Sequence, residues 1–325
     1  MYPSKFSLAD VLAVLAALTF GFVCFLGANF LNIGNDKVWG MPHAIGCVVM
    51  AAVCSVILFG TTFGAKLFKR TSRNFKTCFV VEIILLTLFI GFAVYFTTKT
   101  TPFPHYFTVT VQKSEINGKL RTSIMQAENM FAAYESYAEN RENLYKHNLQ
   151  SVVTARRINP VNYEAYGFQN NGISDDEQIK TKMFTVHADL FPTNYSDAIV
   201  QNGIKEVAAK WLQDAKIKTS SWKPIGIVNV VNDIQKNSNE WLNTLVTLSQ
   251  VREKGEHATD FEYTLSFEDV KKHFTKLESP IGLSLGLAVL AYILMLLSWF
   301  VTKRSTRFPG LKFLFGLGKS SDKEL

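Results

Sequence analysis

The sequence predicts a mainly α-helical membrane protein. Four transmembrane helices, three N-terminal and one C-terminal, carry a large extracytoplasmic helical bundle between the third and the fourth. Three observations support this fold class. The apolar residues, 48% of the chain, are concentrated in four blocks. The excess of Lys and Arg, 34 against 27 Asp and Glu, lies beside these blocks, and the long polar stretch before the last block repeats its apolar residues at helical spacing.

Each of the four apolar blocks is long enough to cross a membrane. The first is uncharged for 21 residues, and a helix of that length spans the ~30 Å hydrocarbon layer. Trp39 stands just before the second block and Trp299 near the end of the fourth, as interfacial aromatic residues do. We predict a membrane region over residues 1–98 and place the four helices at residues 11–31, 41–63, 77–98 and 280–302.

A short basic segment between the second and third spans predicts the orientation. Short loops rich in Lys and Arg stay on the cytoplasmic side of a membrane. The third span then runs outward, residues 99–279 lie outside, and the fourth span returns to a basic cytoplasmic tail, residues 303–325. Both termini are therefore predicted to be cytoplasmic. The topology-determining residues are Lys66, Lys69, Arg70, Arg73 and Lys76.

Charge and cysteine usage narrow the class of protein. Residues 99–279 hold 21 basic and 22 acidic residues, so the outer region offers no net basic charge for nucleic acid. The cysteines all lie inside apolar blocks, which leaves the outer region without a disulfide, although animal extracellular domains of this size usually carry them. We therefore expect a multi-pass protein of a bacterial inner (cytoplasmic) membrane with a periplasmic domain. The cysteines are Cys24, Cys47, Cys54 and Cys78.

The outer region, residues 99–279, is predicted to be a helical domain. Apolar residues from Leu120 to Val152 recur at three- and four-residue steps. This spacing predicts one helix of about 40 residues that ends at Asn159. Further helices are predicted to begin at Ser174, Ser196, Pro224 and Ser266.

Two short segments of the outer domain are β-prone. They are residues 106–111 (YFTVTV) and residues 261–265 (FEYTL), both rich in β-branched and aromatic residues. They stand at opposite ends of the domain in sequence, and each is close to a predicted span. We expect them to pair as a small two-stranded element at the membrane-proximal base.

One ionisable residue, Glu82, lies inside a predicted span. A carboxylate within the hydrocarbon layer is costly and marks a candidate proton relay, ion site or subunit contact. Glu82 follows the start of its span by five residues, which puts it only about 8 Å from the inner end. Because basic side chains reach that depth, we expect a structural ion pair and keep transport as the alternative. The candidate partners are Lys76, Lys303 and Arg304.

The sequence contains no catalytic, cofactor-binding or metal-binding motif of a familiar kind. The nucleophile elbow, the paired-histidine zinc motif, the Cys-x-x-Cys motif and the glycine-rich dinucleotide loop are all missing from it. The five histidines of the outer region include no pair at the four-residue spacing that shares a helix face. We therefore expect no enzymatic activity, no cofactor and no nucleic-acid partner.

The preferred hypothesis is a membrane scaffold, or an assembly component of an envelope protein complex. It would bind a partner through its outer helical domain. The expected partners are the lipid bilayer and other membrane or envelope proteins, a second copy of this chain included. Two alternatives stay open. One is a ligand-sensing protein that binds a small molecule and signals through a partner. The other is a subunit of an oligomeric channel or transporter.

Overall fold

The computed structural model describes residues 7–70, 75–197 and 199–304. The chain divides into a four-helix unit, Met1–Ser114 with Lys271–Leu325, and a central unit, Glu115–Val270. The central unit is shorter than the predicted outer domain of residues 99–279, which stays a prediction. In chain order the elements are α1 (Leu8–Leu31), β1 (Lys37–Val38), β2 (Met41–Pro42), α2 (His43–Arg70), α3 (Phe75–Tyr95), α4 (Pro102–Val111), α5 (Lys113–Thr154), α6 (Pro160–Ala165), α7 (Asp175–Leu190), α8 (Ile204–Ser220), α9 (Pro224–Ser249), α10 (Lys271–Thr275) and α11 (Gly282–Val301).

Four helices of the four-helix unit, α1, α2, α3 and α11, are long and apolar enough to cross a membrane. The prediction of four long apolar helices is confirmed, with bounds that differ by a few residues. The described residues of the predicted basic loop are helical, because its sequence has no glycine or proline that would stop α2. Lys66, Lys69 and Arg70 belong to the end of α2, and Lys76 lies in the first turn of α3. Arg73 lies outside the described residues.

Small residues allow these helices to approach each other closely. α1 buries Ala13, Ala17 and Cys24 on one face. Gly21 lies so close to α2 that a Cβ there would stand 2.9 Å from the Ser55 hydroxyl oxygen. Faces of this kind favour helix contact in lipid. The larger side chains of the same core come from all four helices and include Phe20, Leu58, Phe89 and Tyr292.

A tight hairpin turn joins α1 to α2. β1 and β2 pair in antiparallel register. The two turn residues, Trp39 and Gly40, have φ angles of 51° and 77°, and a type I′ turn requires positive φ at both positions. This hairpin is the only sheet in the described part of the chain. It does not involve either of the segments for which a β element is predicted.

The predicted pairing of two β-prone segments is wrong, because residues 106–111 are helical and belong to α4. Pro102 at the start of α4 favours a helix. Packing against α1 then outweighs the β propensity of the sequence. Phe103 stacks on Phe20 with ring centroids 4.4 Å apart, and a Cβ at Gly27 would stand 1.9 Å from the Pro102 carbonyl oxygen.

The long helix α5 is the spine of the central unit. It runs for 42 residues, which confirms the helix predicted from the apolar spacing. The upper half of α5, towards Thr154, packs with α6 and α7 around a core that includes Tyr145 and Leu149. The lower half packs with α9, where Phe131 and Trp241 have ring centroids 6.0 Å apart. An ion pair of 2.5 Å between Lys216 and Glu128 connects α8 to the same half.

Two of the predicted helix starts in the central region are confirmed and two are wrong. Ser174 caps α7 through its side chain, and Pro224 begins α9. α8 begins later than Ser196, whose hydroxyl instead donates to Glu206 at 2.5 Å. The last predicted helix, from Ser266, is reduced to the five residues of α10, because the β-prone residues before it stay non-helical.

Candidate functional site at the charged end of the four-helix unit

Ionisable and polar side chains from all four long helices meet at one end of the four-helix unit, which we call the charged end. It lies where α1 begins, where α2 ends, in the first half of α3 and where α11 ends. Four of its members, Asp10, Lys66, Glu82 and Ser298, are buried. The complete set is Asp10, Lys66, Lys69, Glu82, Ser298, Trp299 and Arg304.

Asp10 is the first centre of the charged end. Its Oδ2 accepts hydrogen bonds from the amide and the hydroxyl of Ser7, both at 2.9 Å, and this capping box starts α1. Its Oδ1 accepts a hydrogen bond of 2.5 Å from the Ser298 hydroxyl and pairs with the Lys66 ammonium group. These bonds offset the cost of burying the carboxylate, so Asp10 holds α1, α2 and α11 together.

Glu82 on α3 is the second centre. Its Oε1 accepts a bond of 2.6 Å from Arg304 Nη2 and one of 3.0 Å from Trp299 Nε1. The Glu82 side chain is 1% exposed and that of Arg304 27%. Among the three partners predicted for Glu82, the structure therefore places Arg304 against it. Lys303 is exposed, and Lys76 lies in the first turn of α3.

Two consecutive residues of α11 connect the two centres. Ser298 bonds to Asp10 and Trp299 bonds to Glu82. Lys69 adds a third contact, because its Nζ donates to the Trp299 carbonyl at 2.7 Å and lies 4.2 Å from the centre of that ring. The end of α11 is therefore fixed from α1, α2 and α3.

The charged end pairs both of its carboxylates with cations. Asp10 faces Lys66 and Glu82 faces Arg304. In a buried, low-dielectric setting this attraction is stronger than in water. One acceptor remains open, since the buried Oε2 of Glu82 has no hydrogen-bond partner among the described residues. The arrangement joins four helices, and this oxygen is its free position for a proton or a polar donor.

Sequence reasoning missed Asp10 and Ser298. The signal for Asp10 is present, because Ser7 and Asp10 have the spacing of a capping box, which puts a carboxylate in the first turn of the first span. Pairing it with Lys66 requires the register of α2 against α1. A serine within a span gives no such signal, since serine hydroxyls in helices usually bond to their own backbone.

A second candidate site lies in the central unit, at the turn between α5 and α6. Ile158 and Val161 are 89% and 75% exposed there, and we call this pair the apolar turn. The structure beneath it is well fixed. The Arg156 guanidinium lies 4.6 Å from the centre of the Tyr163 ring and donates to Asp175 at 3.2 Å. The Tyr163 hydroxyl donates to the same carboxyl group at 2.5 Å.

No known protein family, no curated protein and no solved structure matches this chain. The function is therefore inferred from the geometry of the two candidate sites.

Proposed function

We propose that the protein is a multi-pass membrane scaffold that holds another protein of the cell envelope through its central unit, and that it is not an enzyme. In this proposal α1, α2, α3 and α11 form the anchor. The rule that basic segments stay inside puts the charged end and both termini in the cytoplasm. The central unit then stands in the periplasm of a bacterial inner membrane.

The apolar turn is the observation that carries the proposal. A partner that covers these two β-branched side chains would gain about 25 cal/mol of binding free energy for each Å² of apolar surface removed from water. The ion pair and ring contact of Arg156 hold the turn in place. Binding therefore costs little extra conformational entropy, and a pre-organised apolar site of this kind favours association with another protein.

The charged end supports an anchor more than a transport path. Transport proteins usually place several ionisable groups along the path of the ion. Here Asp10 and Glu82 lie at one end, and each faces a cation. A role in proton or ion transport is the second candidate function, and the unpartnered Oε2 of Glu82 is the observation that favours it.

Affinity purification in mild detergent tests the scaffold. The variant Ile158→Ser/Val161→Ser removes the apolar turn. The matched control Val207→Ser/Ile217→Ser makes the same exchanges at half-exposed positions of α8. We expect one envelope protein to be recovered with the wild type and with the control, and to be lost with the apolar-turn variant. Equal recovery of the partner with both variants, or its recovery with the wild type alone, would contradict the proposal.

A further inference from the structure

The chain between α9 and α10 contains an extended segment that belongs to no sheet. The β-prone residues 261–265 lie within it. From Phe261 to Glu268 the burial alternates with every residue: the odd-numbered side chains are buried or half-buried and the even-numbered ones are exposed. This is the two-residue period of a β-strand that lies flat on a surface. We call residues 260–268 the lone strand.

The contacts of the lone strand with α5 indicate that it is almost fully extended. The Phe261 ring lies 5.3 Å from the Tyr134 ring, and Glu268 pairs with Lys119 at 3.1 Å. Tyr134 and Lys119, the two α5 residues in these contacts, are about 22 Å apart along the helix axis. The seven steps from Phe261 to Glu268 cover about 23 Å in a strand. The lone strand therefore runs antiparallel to α5 along its lower half.

Arg141 fixes the chain that leads into the lone strand. Its Nε lies 2.5 Å from Glu256 Oε1, and its guanidinium also donates to the carbonyls of Ser249, at 2.8 Å, and Val251. The Tyr137 hydroxyl donates to the carbonyl of residue 259 at 2.6 Å. The lone strand is thus held in position before any partner binds, which lowers the entropic cost of binding.

The backbone in the middle of the lone strand is unpaired. The amide of Phe261 donates to Ser249 Oγ at 2.8 Å, and that of Ser266 donates to Gln126 Oε1 at 3.2 Å. Between them, the amides and carbonyls of residues 262–265 make no hydrogen bond within the described part of the chain. An extended backbone with open donors and acceptors is a template for a further strand.

Charge selects the occupant of this template. Residues 255–270 contain no Lys or Arg. Glu262, exposed in the middle of the lone strand, has no ion-pair partner among the described residues, whereas Glu256, Asp260 and Glu268 are already paired. We propose that the lone strand binds, by strand addition, an extended segment of a partner protein in which basic residues alternate with apolar ones. A second copy of this chain is disfavoured, because antiparallel pairing of two lone strands would bring carboxylates together.

This inference rests on the proposed function in one respect, since it requires a protein partner, but it uses a different surface from the apolar turn. The two surfaces give the scaffold two points of attachment. Two linked contacts hold a partner more tightly than either alone, because the second contact forms at a high effective concentration.

Peptide binding to the full-length protein in zwitterionic nanodiscs tests the strand addition. The probe is a fluorescent peptide of about ten alternating lysines and valines, followed by anisotropy. Thr264→Pro removes one exposed backbone amide, whereas Thr264→Ala keeps it. We expect the proline variant to bind the probe about tenfold more weakly, as the loss of backbone hydrogen bonds implies, and the alanine variant to bind like the wild type.

Two modified probes keep this test independent of the folding of any variant. A peptide methylated at every backbone nitrogen has no amide donor left on either edge and cannot add a strand, and one with glutamate in place of lysine has the wrong charge. We expect neither to bind the wild type. Equal binding of the methylated and unmethylated peptides, or of the glutamate and lysine peptides, would overturn the proposal. So would the absence of binding by the lysine–valine probe.

Photo-cross-linking in cells separates this inference from the proposed function. The cross-linking amino acid is placed either at Glu262 or at Ile158. Capture of another envelope protein from both positions supports both proposals. Capture from Ile158 alone leaves the scaffold standing and overturns strand addition, as does capture of a second copy of this chain from Glu262. Capture from neither position overturns both proposals.

Discussion

Glu82 and Arg304 form an ion pair although they are 222 positions apart in the sequence, with Arg304 Nη2 at 2.6 Å from Glu82 Oε1. The pair links α3 to the residues that follow α11. Because Trp299 donates to the same oxygen, the carboxylate holds both the end of α11 and the chain beyond it. The third and the last of the long helices are thereby joined at the charged end.

Glu82→Gln should weaken this junction without abolishing function. Glutamine keeps an oxygen for Trp299 and Arg304 but removes the charge, and Arg304 is exposed enough to be hydrated. We expect a loss of stability on the order of 1–3 kcal/mol, seen as a lower melting midpoint in detergent, with partner recovery retained. A variant that melts like the wild type yet no longer functions would favour the proton or ion role of Glu82.

The pair of Asp10 and Lys66 should show strong coupling in a double-mutant cycle. Asp10→Asn leaves the Lys66 ammonium buried without its counter-charge, at a cost of about 3–5 kcal/mol. Lys66→Met should cost less, because Asp10 keeps its bonds from Ser7 and Ser298. The double variant should recover part of the loss, since no unpaired charge remains. Additive shifts of the melting midpoint would show that the pair contributes no coupling.

His105 on α4 should make the four-helix unit less stable in mild acid. Burial lowers the pKa of His105, although its hydrogen bond of 2.7 Å to the Phe274 carbonyl opposes the shift. In the unfolded chain a histidine titrates near 6.5. Below about pH 6.5 the unfolded state therefore takes up a proton that the folded state resists. The free energy of unfolding then decreases as the pH is lowered, until the pH is below the pKa of His105 in the folded protein. Above about pH 7 the contribution is constant.

His105→Gln provides the comparison for this pH effect. Glutamine keeps an N–H group for the Phe274 carbonyl but does not titrate. As the pH is lowered from 7 to 5, the melting midpoint should fall for the wild type and should fall less for the variant. Identical slopes for the two proteins would mean that other groups cause the acid sensitivity.

The apolar pattern of the sequence was sufficient to predict the helices but not the contacts between them. The four long helices follow from the length of their apolar blocks, and the spine α5 follows from apolar residues at three- and four-residue steps. The pairing of Asp10 with Lys66 depends on how α1 and α2 are aligned, and helical spacing within one segment carries no information on that alignment. Glu82 was identifiable because a carboxylate among apolar residues breaks the local pattern.

The two β-prone segments show that local propensity alone does not predict secondary structure. Residues 106–111 and 261–265 have similar β propensity, yet the first segment is helical and the second is not. Pro102 and the stacking of Phe103 on Phe20 decide the first case. In the second, the side chains alternate between α5 and solvent. Strand propensity measures how well side chains fit a half-buried surface, so tertiary contacts determine which outcome occurs.

The proposed scaffold requires the central unit to stand outside the cytoplasm, and cysteine labelling measures this directly. The four native cysteines are replaced by serine, and Lys146→Cys in the exposed part of α5 is compared with Lys303→Cys beyond α11. A membrane-impermeant maleimide should label the Lys146→Cys protein in intact spheroplasts and the Lys303→Cys protein only after permeabilisation. The reverse pattern, with Lys303→Cys labelled in intact spheroplasts and Lys146→Cys protected, would contradict the proposed topology and with it the scaffold.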